Sequence, residues 1–324
     1  MQTLSEDLML SYAKPAFACF ALEALTRRFV LKKQHFSKGY IAEPHFHDFP
    51  QLWYCGGGSY THTVDGEEKV YTKGSLVIVP PGRVHSFFVE DQAGAELTKI
   101  DISFGFFQNV DMVSYIYSAT YLFLLGYGKD MQMDIPFGYQ LKEDAQKSMH
   151  TLLRVLEQEQ KTNECNAQKI YSAMEEFFRN EEFSLPKQNA RALCKLIDNK
   201  VAPVLRVLRF VNEKWAEKIT VEEALEISAF SRSSFFVHFK TFTGLSFKGY
   251  LQYLRCNYIN LLLGTTNYPV SYISDICGFS NRSHMLKAYK KLEDDTPIKM
   301  RDKYREYYTD QDAAAMKPLL EHVI

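Results

Sequence analysis

The chain has 324 residues, of which 46% are hydrophobic and 24% charged, and its formal net charge at pH 7 is −1. This length predicts two domains, and the composition is typical of a soluble globular protein. No apolar run approaches the roughly 18 residues of a membrane-spanning helix, and the N-terminal AFACFAL run lacks the basic start and cleavage site of a signal peptide. The six cysteines show no regular spacing, which predicts free thiols in a reducing compartment. We therefore expect a cytoplasmic protein that does not contact membranes.

The charged residues are divided unevenly along the chain. Residues 200–305 contain 17 Lys and Arg against 10 Asp and Glu, a balance of +7, whereas residues 1–199 contain 20 against 25, a balance of −5. A basic C-terminal third on an acidic body favours a nucleic-acid-binding module attached to another domain.

Short apolar or alternating runs, separated by turn residues, fill the sequence from about Lys38 to Phe107. This pattern is typical of β-strands. Asp65 and Gly66 lie between YTHTV and KVYT and predict a type I′ hairpin turn, because both central residues of that turn need a positive φ. The region is predicted to be an antiparallel β-barrel or sandwich, and we assign residues 1–135 to this N-terminal domain.

After Asp134 the apolar residues recur at steps of three and four, which predicts two or three amphipathic helices. The periodic positions are Leu141, Ala145, Met149, Leu152 and Leu156, then Ile170, Met174 and Phe177, then Leu193, Leu196 and Ile197. These helices pack on the barrel or pair two subunits, and we assign residues 136–185 to a helical dimerisation segment of a homodimer. The polar stretch around Ser184 to Asn189 predicts a linker over residues 186–202.

From Pro203 onward the pattern is all-helical, and residues 203–305 contain an approximate internal repeat. Phe230 corresponds to Phe279 at an offset of 49, and an offset of 50 relates a second set. That set pairs Ser233, Phe235, Phe239 and Lys240 with Ser283, Met285, Tyr289 and Lys290. Two copies of a small three-helix unit are predicted, followed by a tail over residues 306–324.

Each repeat has the sequence pattern of a helix-turn-helix. In the first, Thr220 is a predicted N-cap for a helix over Val221–Ile227, and Ser231 caps a helix that runs to Thr241. In the second, a helix across Val270–Cys277 stops at Gly278, and Asn281 caps a helix that runs through Lys291.

The exposed N-terminal half of such a second helix reaches base edges when the helix enters the major groove. Arg and Lys bind guanine there, whereas lysines later in the helix suit phosphates. Phe236 and Val237 cannot hydrogen-bond to bases: they contact a thymine methyl, or the first unit binds mostly the DNA backbone. We expect more specificity from the second unit. The predicted DNA-binding residues are Ser231, Arg232, Ser233, Phe236, Val237, Lys240, Asn281, Arg282, Ser283, His284, Lys287, Lys290 and Lys291.

The segment Ile219–Arg301 resembles the DNA-binding domain of the AraC/XylS family of transcriptional regulators. The resemblance rests on S-x-S-x-F-x-x-x-F-K at residues 231–240, G-x-S-F at 244–247, Y-L-x-x-x-R at 250–255, Gly278-Phe279 and Thr296-Pro297. It implies two helix-turn-helix units joined by a long helix from about Phe247 to Leu263, with both recognition helices facing one side of double-stranded DNA. It also implies transcription regulation, with RNA polymerase as a further partner.

The front segment resembles the cupins. Their first motif, G-x5-H-x-H-x3-E-x6-G, is found as Gly39, His45, His47, Gln51 and Gly58, and their second, G-x5-P-x-G-x2-H, as Gly74, Pro80, Gly82 and His85. Strand alternation places the first motif's side chains on one face, inside the barrel. In metal-binding cupins these positions ligate a metal ion, but Gln51 stands here where the carboxylate is usual. The fold class implied is α+β: a cupin-like antiparallel barrel followed by helices and an all-α C-terminal domain.

Three interpretations of the front histidines remain open. The first is an effector pocket for an organic molecule lined by aromatic and polar side chains, namely His45, His47, Gln51, Trp53, His62 and His85. The second is a divalent metal ion bound by His45, His47, Gln51 and His85, although Gln51 supplies no charge and no cofactor is expected. The third is a set of hydrogen-bonded core residues.

Three functions follow from these interpretations. A regulator would sense a small-molecule effector with the barrel and bind DNA with the basic third. A metal-dependent cupin enzyme, a dioxygenase or isomerase, would carry an appended helical domain. A DNA-binding scaffold would use the barrel only to dimerise. The sequence favours the regulator, and no catalytic residue is predicted.

Overall fold

The structure is a computed structural model that describes residues 29–47, 49–102, 136–162, 166–180, 183, 197–293 and 295–307. The chain divides into two compact units, with the boundary between Ala202 and Pro203. The described part of the first unit is a β-barrel with two helices, and that of the second is all-helical.

Eight antiparallel strands form the barrel. They are β1 (Phe29–Phe36), β2 (Ile41–His45), β3 (Gln51–Val64), β4 (Glu67–Thr72), β5 (Ser75–Val79), β6 (His85–Phe88), β7 (Ala95–Ile102) and β8 (Gly138–Gln140). One face has the order β1-β7-β3-β5-β8, and on the other β3 continues between β4 and β6, with β2 outside β6. The predicted antiparallel fold is confirmed.

The long strand β3 takes part in both faces and bends at its three consecutive glycines. Its first half pairs with β5 and β7, its second half pairs with β4 and β6, and the register with β7 shifts between Cys55 and Gly57. Gly58 has a φ of +67°, and a Cβ there would lie 1.9 Å from the carbonyl oxygen of Gly94. A side chain at this position is therefore excluded by both backbone conformation and space.

The hairpin prediction is confirmed, whereas two strands were missed by the sequence pattern. Asp65 and Gly66 have φ values of 50° and 82°, as the type I′ turn between β3 and β4 requires. Strand β1 begins at Phe29, before the predicted start near Lys38, because its buried and exposed residues come in blocks instead of alternating. Strand β8 lies in the segment predicted as purely helical and pairs with β5, so strand structure extends beyond residue 135.

Helices α1 (Glu143–Thr162) and α2 (Ala167–Phe178) follow the barrel strands. The periodic positions predicted for them are buried, and Leu152, Leu156 and Met174 line a seam with Phe29 and other barrel residues. The Gln160 side chain accepts from the Leu31 amide at 2.7 Å and donates to the Leu31 carbonyl oxygen at 3.0 Å. Because these apolar faces pack on the barrel, a dimer would have to use other faces of the two helices.

The second unit consists of seven helices among the described residues. They are α3 (Ala202–Glu213), α4 (Val221–Ser228), α5 (Arg232–Thr243), α6 (Phe247–Thr265), α7 (Val270–Ile276), α8 (Arg282–Tyr289) and α9 (Pro297–Tyr307). A π-helical turn, Ile197–Val201, precedes α3, so the described end of the predicted linker is helical. Residues 186–196, including Leu193 and Leu196, and most of the predicted tail lie outside the described residues. None of the described helices combines the length and apolar character needed to cross a bilayer.

Helix α6 is the centre of the helical unit and confirms the predicted long helix. Fourteen of its residues are buried, which is why its sequence is apolar on nearly every side. Arg255 is anchored on this helix: its Nε donates to the Trp215 carbonyl oxygen at 2.8 Å and its Nη2 to that of Glu217 at 2.6 Å. These bonds fix the chain before α4 to the helix that joins the two repeats.

Candidate nucleic-acid interface and candidate ligand site

The first helix-turn-helix consists of α4 and α5. Thr220 caps α4 in a capping box with Glu223, and Ala229 makes the turn with a φ of 56°. Ser231 caps α5, its side chain accepting from the Ser234 amide at 3.3 Å. Both predicted caps are confirmed, and α5 extends two residues beyond its predicted end at Thr241.

Helix α5 has one apolar buried face and one mixed exposed face. Phe235 and Phe239 are fully buried, whereas Phe236 is 40% and Val237 61% exposed. Ser231, Arg232 and Ser233 are exposed, and Lys240 is half-buried. Arg232 donates to Glu222 of α4 at 2.5 Å, and this bond lowers the pKa of Glu222. The outer face therefore contains two serine hydroxyls, an apolar pair and a half-buried lysine, and its arginine is already paired.

The second helix-turn-helix consists of α7 and α8. Gly278 makes the turn with a φ of +70°, and a Cβ there would lie 2.3 Å from the Ala216 carbonyl oxygen. Asn281 caps α8 by accepting from the His284 amide at 2.8 Å. The predicted turn and cap are confirmed, although α8 ends at Tyr289 and not at Lys291.

Helix α8 presents cations on its exposed face. Arg282, Ser283, Lys287, Lys290 and Lys291 are exposed, as is the cap residue Asn281. The predicted inward residues Met285 and Tyr289 are fully buried, and Phe279 is 6% exposed. His284 is half-buried, with its ring nitrogens 3.3 Å from Ser280 Oγ and 3.4 Å from the Gln252 amide. Its predicted role as an outward base reader therefore requires these two contacts to break.

A buried polar network fixes the end of α8 to α6 and α9. Tyr289 donates to Asn260 at 2.6 Å, Asn260 donates to Glu293 at 2.5 Å, and Tyr304 donates to Glu293 at 2.7 Å. All four residues are at most 7% exposed. Such a satisfied network makes the recognition helix rigid relative to its support.

The barrel interior brings together all six predicted pocket residues. Their exposed fractions range from 0% to 7%, so bulk water does not reach His45, His47, Gln51, Trp53, His62 or His85. The rings of His45 and His85 lie 4.2 Å apart between centroids, and those of Trp53 and His62 lie 6.1 Å apart. Trp53 Nε1 donates to Gln51 Oε1 at 2.8 Å.

Three imidazoles form a hydrogen-bonded chain with defined proton positions. His47 Nδ1 lies 2.9 Å from the Phe49 carbonyl oxygen, which can only accept, so Nδ1 carries the proton. His85 Nε2 then donates to His47 Nε2 at 2.8 Å, and His62 Nε2 donates to His85 Nδ1 at 2.8 Å. Burial lowers the pKa of His47 and His85 well below its usual value and that of His62 to about 3. The chain is neutral at physiological pH and ends at His62 Nδ1 as an acceptor.

Comparison with known proteins identifies the domain that contains each site. A helix-turn-helix domain family matches residues 226–303, and a cupin domain family matches residues 32–102. The chain therefore contains a helix-turn-helix domain and a cupin domain.

The individual relatives of this chain are distant. Over 111 residues it is 25% identical to the probable transcriptional regulator LumQ of Photobacterium leiognathi, which covers 34% of this chain and 45% of that protein. The chain thus spans less than half the length of this curated relative. The structure of ToxT from Vibrio cholerae O395 bound to (E)-4-(8-methylnaphthalen-1-yl)but-3-enoic acid has a similar fold, with a TM-score of 0.51 and 13% identity over 86% of this chain and 100% of that one. The DNA-binding domain of AdpA in complex with a target DNA matches with a TM-score of 0.31 and 25% identity over 32% of this chain and 95% of that one.

Sequence reasoning missed two barrel residues, Tyr60 and Asp101, whereas it predicted His62. Tyr60 Oη and His62 Nδ1 are buried and have no hydrogen-bond partner among the described residues, and the same holds for Asp101 Oδ1. Asp101 pairs in register with Gln51, and its other oxygen accepts from Lys99 Nζ at 2.7 Å. Burial raises the pKa of Asp101. Its carboxylate was not predicted because it lies on β7, 50 residues from Gln51, outside both motifs.

The histidine cluster fits a divalent metal ion as far as its donors are concerned. His45, His47 and His85 offer nitrogen atoms that all lie within 4.8 Å of one another, and neutral imidazole suits iron, zinc and similar ions. A metal ion bound by the Nε2 atoms of His47 and His85 would displace the proton of the hydrogen bond between these two atoms. Gln51, predicted as a fourth ligand, instead directs its oxygen at the Trp53 indole.

Proposed function

We propose that this protein is a sequence-specific DNA-binding transcription regulator whose barrel senses a small-molecule effector. The observation that carries the proposal is the exposed face of α8, where Arg282, Ser283 and Lys287 project from a helix that is capped, packed and hydrogen-bonded to its support. Rigid presentation of such side chains is what direct readout of base edges in the major groove requires.

Charge and organisation support DNA as the partner. The segment 200–305 has a balance of +7, and Lys240 in the last part of α5 is equivalent by repeat position to Lys290, which directly follows α8. Lysines there suit phosphates, which supply most of the affinity but little sequence information. We extend to this chain the regulatory role that the name of its relative LumQ states.

Selection from random double-stranded DNA tests this proposal. Full-length protein is expected to enrich a defined motif, and Arg282→Ala is expected to relax it at one position of each half-site. The residue at the same place in the first repeat, Arg232, is the matched control because it is already paired with Glu222. If the protein enriches no motif over several rounds, the proposal is wrong.

The barrel supports an organic effector with an uncharged hydrogen-bonding group. His62 Nδ1 offers an acceptor and Tyr60 Oη a donor, both buried beside aromatic rings of Trp53 and Phe87. A hydroxyl or amide group satisfies both atoms, whereas a lone charge would need a buried partner. ToxT is described in complex with an organic acid, and we infer an organic ligand for this barrel as well.

We propose further that the protein acts as a homodimer in the cytoplasm, where it meets promoter DNA and RNA polymerase. An effector would change DNA binding only through its different affinities for two arrangements of this dimer. A non-catalytic barrel is supported by Gln51 at the usual carboxylate position and by the raised pKa of the buried thiol Cys55, about 11, which keeps it protonated.

Native mass spectrometry of the purified full-length protein separates these proposals from the enzyme alternative. We expect the mass of a dimer with a retained organic molecule. If no molecule is retained, we expect the melting temperature of the protein to shift when an organic effector is added. His62→Ala should abolish that retention or shift, and His150→Ala, which changes a histidine on α1, serves as the control. Stoichiometric iron or manganese that is lost in His47→Ala would instead favour a metal sensor or a metal-dependent cupin enzyme.

A further inference from the structure

Recognition helix α5 exposes two large apolar side chains in the middle of its outer face. Phe236 is 40% exposed and Val237 61% exposed, although Phe235 and Phe239 on the same helix are completely buried. Phe235 and Phe239 therefore supply the packing of this helix against the hydrophobic core, and Phe236 and Val237 remain accessible to a partner.

The apolar pair lies within a single stripe along the helix. Ser233, Phe236, Val237 and Lys240 follow one another at steps of three, one and three residues, which places them on one side. Ser233 is exposed at the N-terminal end of the stripe, and Lys240 marks the end that suits a phosphate. The pair thus occupies the central positions, where a recognition helix approaches base edges.

Helix α8, the equivalent helix of the second repeat, carries different side chains at the positions of the apolar pair. At the offset of 50 that relates the repeats, Val237 corresponds to Lys287 and Phe236 to Leu286 on α8. Lys287 is exposed and can donate to guanine, whereas Leu286 is half-buried. The two helices therefore present different chemistry at the same position: a cation on α8 and an aliphatic surface on α5.

We infer that Phe236 and Val237 select thymine by contacting its 5-methyl group in the half of the DNA site that α5 enters. Neither side chain can donate or accept a hydrogen bond, and the thymine methyl is the apolar group that base edges present in the major groove. The inference rests on the proposed DNA-binding function and adds a base preference to it. It resolves the two alternatives for the first unit in favour of base readout.

Replacing thymine by uracil tests the inference, because it removes the methyl group and leaves base pairing intact. A duplex carrying the motif selected by the full-length protein is prepared with uracil at each thymine in turn, and affinity is measured by fluorescence anisotropy. We expect a loss of about four-fold at the contacted thymines, the ratio that burial of one methyl-sized group gives. The double variant Phe236→Ser, Val237→Ser should bind thymine and uracil duplexes equally.

Val70→Ser is the matched control for the variants. Val70 is an exposed valine on barrel strand β4, with the same exposed fraction of 61% as Val237, so its replacement removes an equally exposed apolar side chain while the sequence of α5 stays unchanged. It should keep the wild-type preference for thymine over uracil.

Two outcomes would overturn the inference, and they differ from a failure of the proposed function. Equal affinity of the wild-type protein for thymine and uracil at every position would show that no methyl group is read. Unchanged DNA binding and unchanged discrimination in the double variant would assign the apolar pair to another partner. Absence of any selected motif would overturn the DNA-binding proposal and this inference with it.

Discussion

The barrel and the helical unit place their polar side chains in opposite ways. In the barrel, His47, His62 and His85 are buried, neutral and hydrogen-bonded to one another. In the helical unit, Arg282 and Lys287 are exposed on a recognition helix. Buried neutral donors and acceptors suit a small ligand that leaves water, whereas exposed cations suit a polyanion that stays hydrated. This difference is what we expect if the two units bind different partners, as proposed: an enclosed small molecule and an external polyanion.

The largest expected effect is on the pH dependence of stability, which should differ between the barrel and the helical unit. The unfolded histidines titrate near 6.5, whereas burial holds the pKa of His62 at about 3 and those of His47 and His85 well below 6.5. Stability is therefore full above pH 6.5 and falls as the pH drops, because the unfolded chain then binds more protons. From pH 7.5 to 5.5 we expect a loss of about 1.4 kcal/mol for each of the three histidines. The raised pKa of Asp101 has the opposite effect, since it stabilises the fold as the pH falls. It is one group against three histidines.

The chain's two tryptophans allow the pH effect to be measured unit by unit. Trp53 lies in the barrel and Trp215 in the helical unit, and there are no others. Urea unfolding of metal-free Trp215→Phe followed by fluorescence reports on the barrel, and Trp53→Phe reports on the helical unit. The barrel should weaken at pH 5.5, and the helical unit should change little. An unchanged barrel midpoint would mean that the histidines are charged in the fold.

A second prediction compares the two turns within the helical unit. Ala229 and Gly278 occupy the same place in the two repeats, both with positive φ, but only at Gly278 would a Cβ approach a carbonyl oxygen to 2.3 Å. Gly278→Ala should therefore destabilise the helical unit by about 3 kcal/mol or more. Ala229→Gly should change stability by about 1 kcal/mol or less, because relief of strain and added unfolded-state entropy oppose each other. Similar costs for both changes, measured by Trp215 fluorescence, would contradict this account.

A third prediction compares the two arginines that begin the recognition helices. Arg282→Ala should cost roughly 1–3 kcal/mol at one base pair of the site and little elsewhere. Arg232→Ala should cost about 1 kcal/mol or less, because its guanidinium is already paired with Glu222 on the exposed surface. Affinities for a set of single-base variants of the selected site separate the two. Equal, uniform losses in both variants would remove the distinction between the repeats.

The smallest expected effect concerns the lysine at the end of α8. Lys290→Ala should weaken binding to all sequences alike and reduce the slope of log affinity against log salt by about 1. Titrations of specific and random DNA at several salt concentrations measure this slope. A loss confined to the specific site would place Lys290 at a base edge instead of a phosphate.

Local features of the fold could be predicted where the physical cause is local. The caps at Thr220, Ser231 and Asn281, the Asp65-Gly66 turn and the break at Gly278 depend on a few neighbouring residues, and all are confirmed. The histidine positions followed from motifs with fixed spacing. Their assembly inside the barrel follows because alternation on paired strands places them on one face.

The features that escaped prediction depend on long-range contacts. Strand β1 does not alternate, so only its pairing with β7 defines it. The Arg232–Glu222 bond depends on the angle of the first turn. The partial burial of His284 depends on the approach of Gln252 from α6. The carboxylate of Asp101 meets Gln51 only through the register of β3 and β7. None of these contacts has a signal in the sequence near the residue concerned.

The central claim is that the helical unit reads a DNA sequence with α8. Its most direct measurement is the ratio of affinities of the full-length protein for its selected site and for a scrambled duplex at 0.15 M salt. We predict a ratio of about 1,000 or more, reduced by Arg282→Ala and retained in Arg232→Ala. A ratio near one in the wild-type protein would contradict the account.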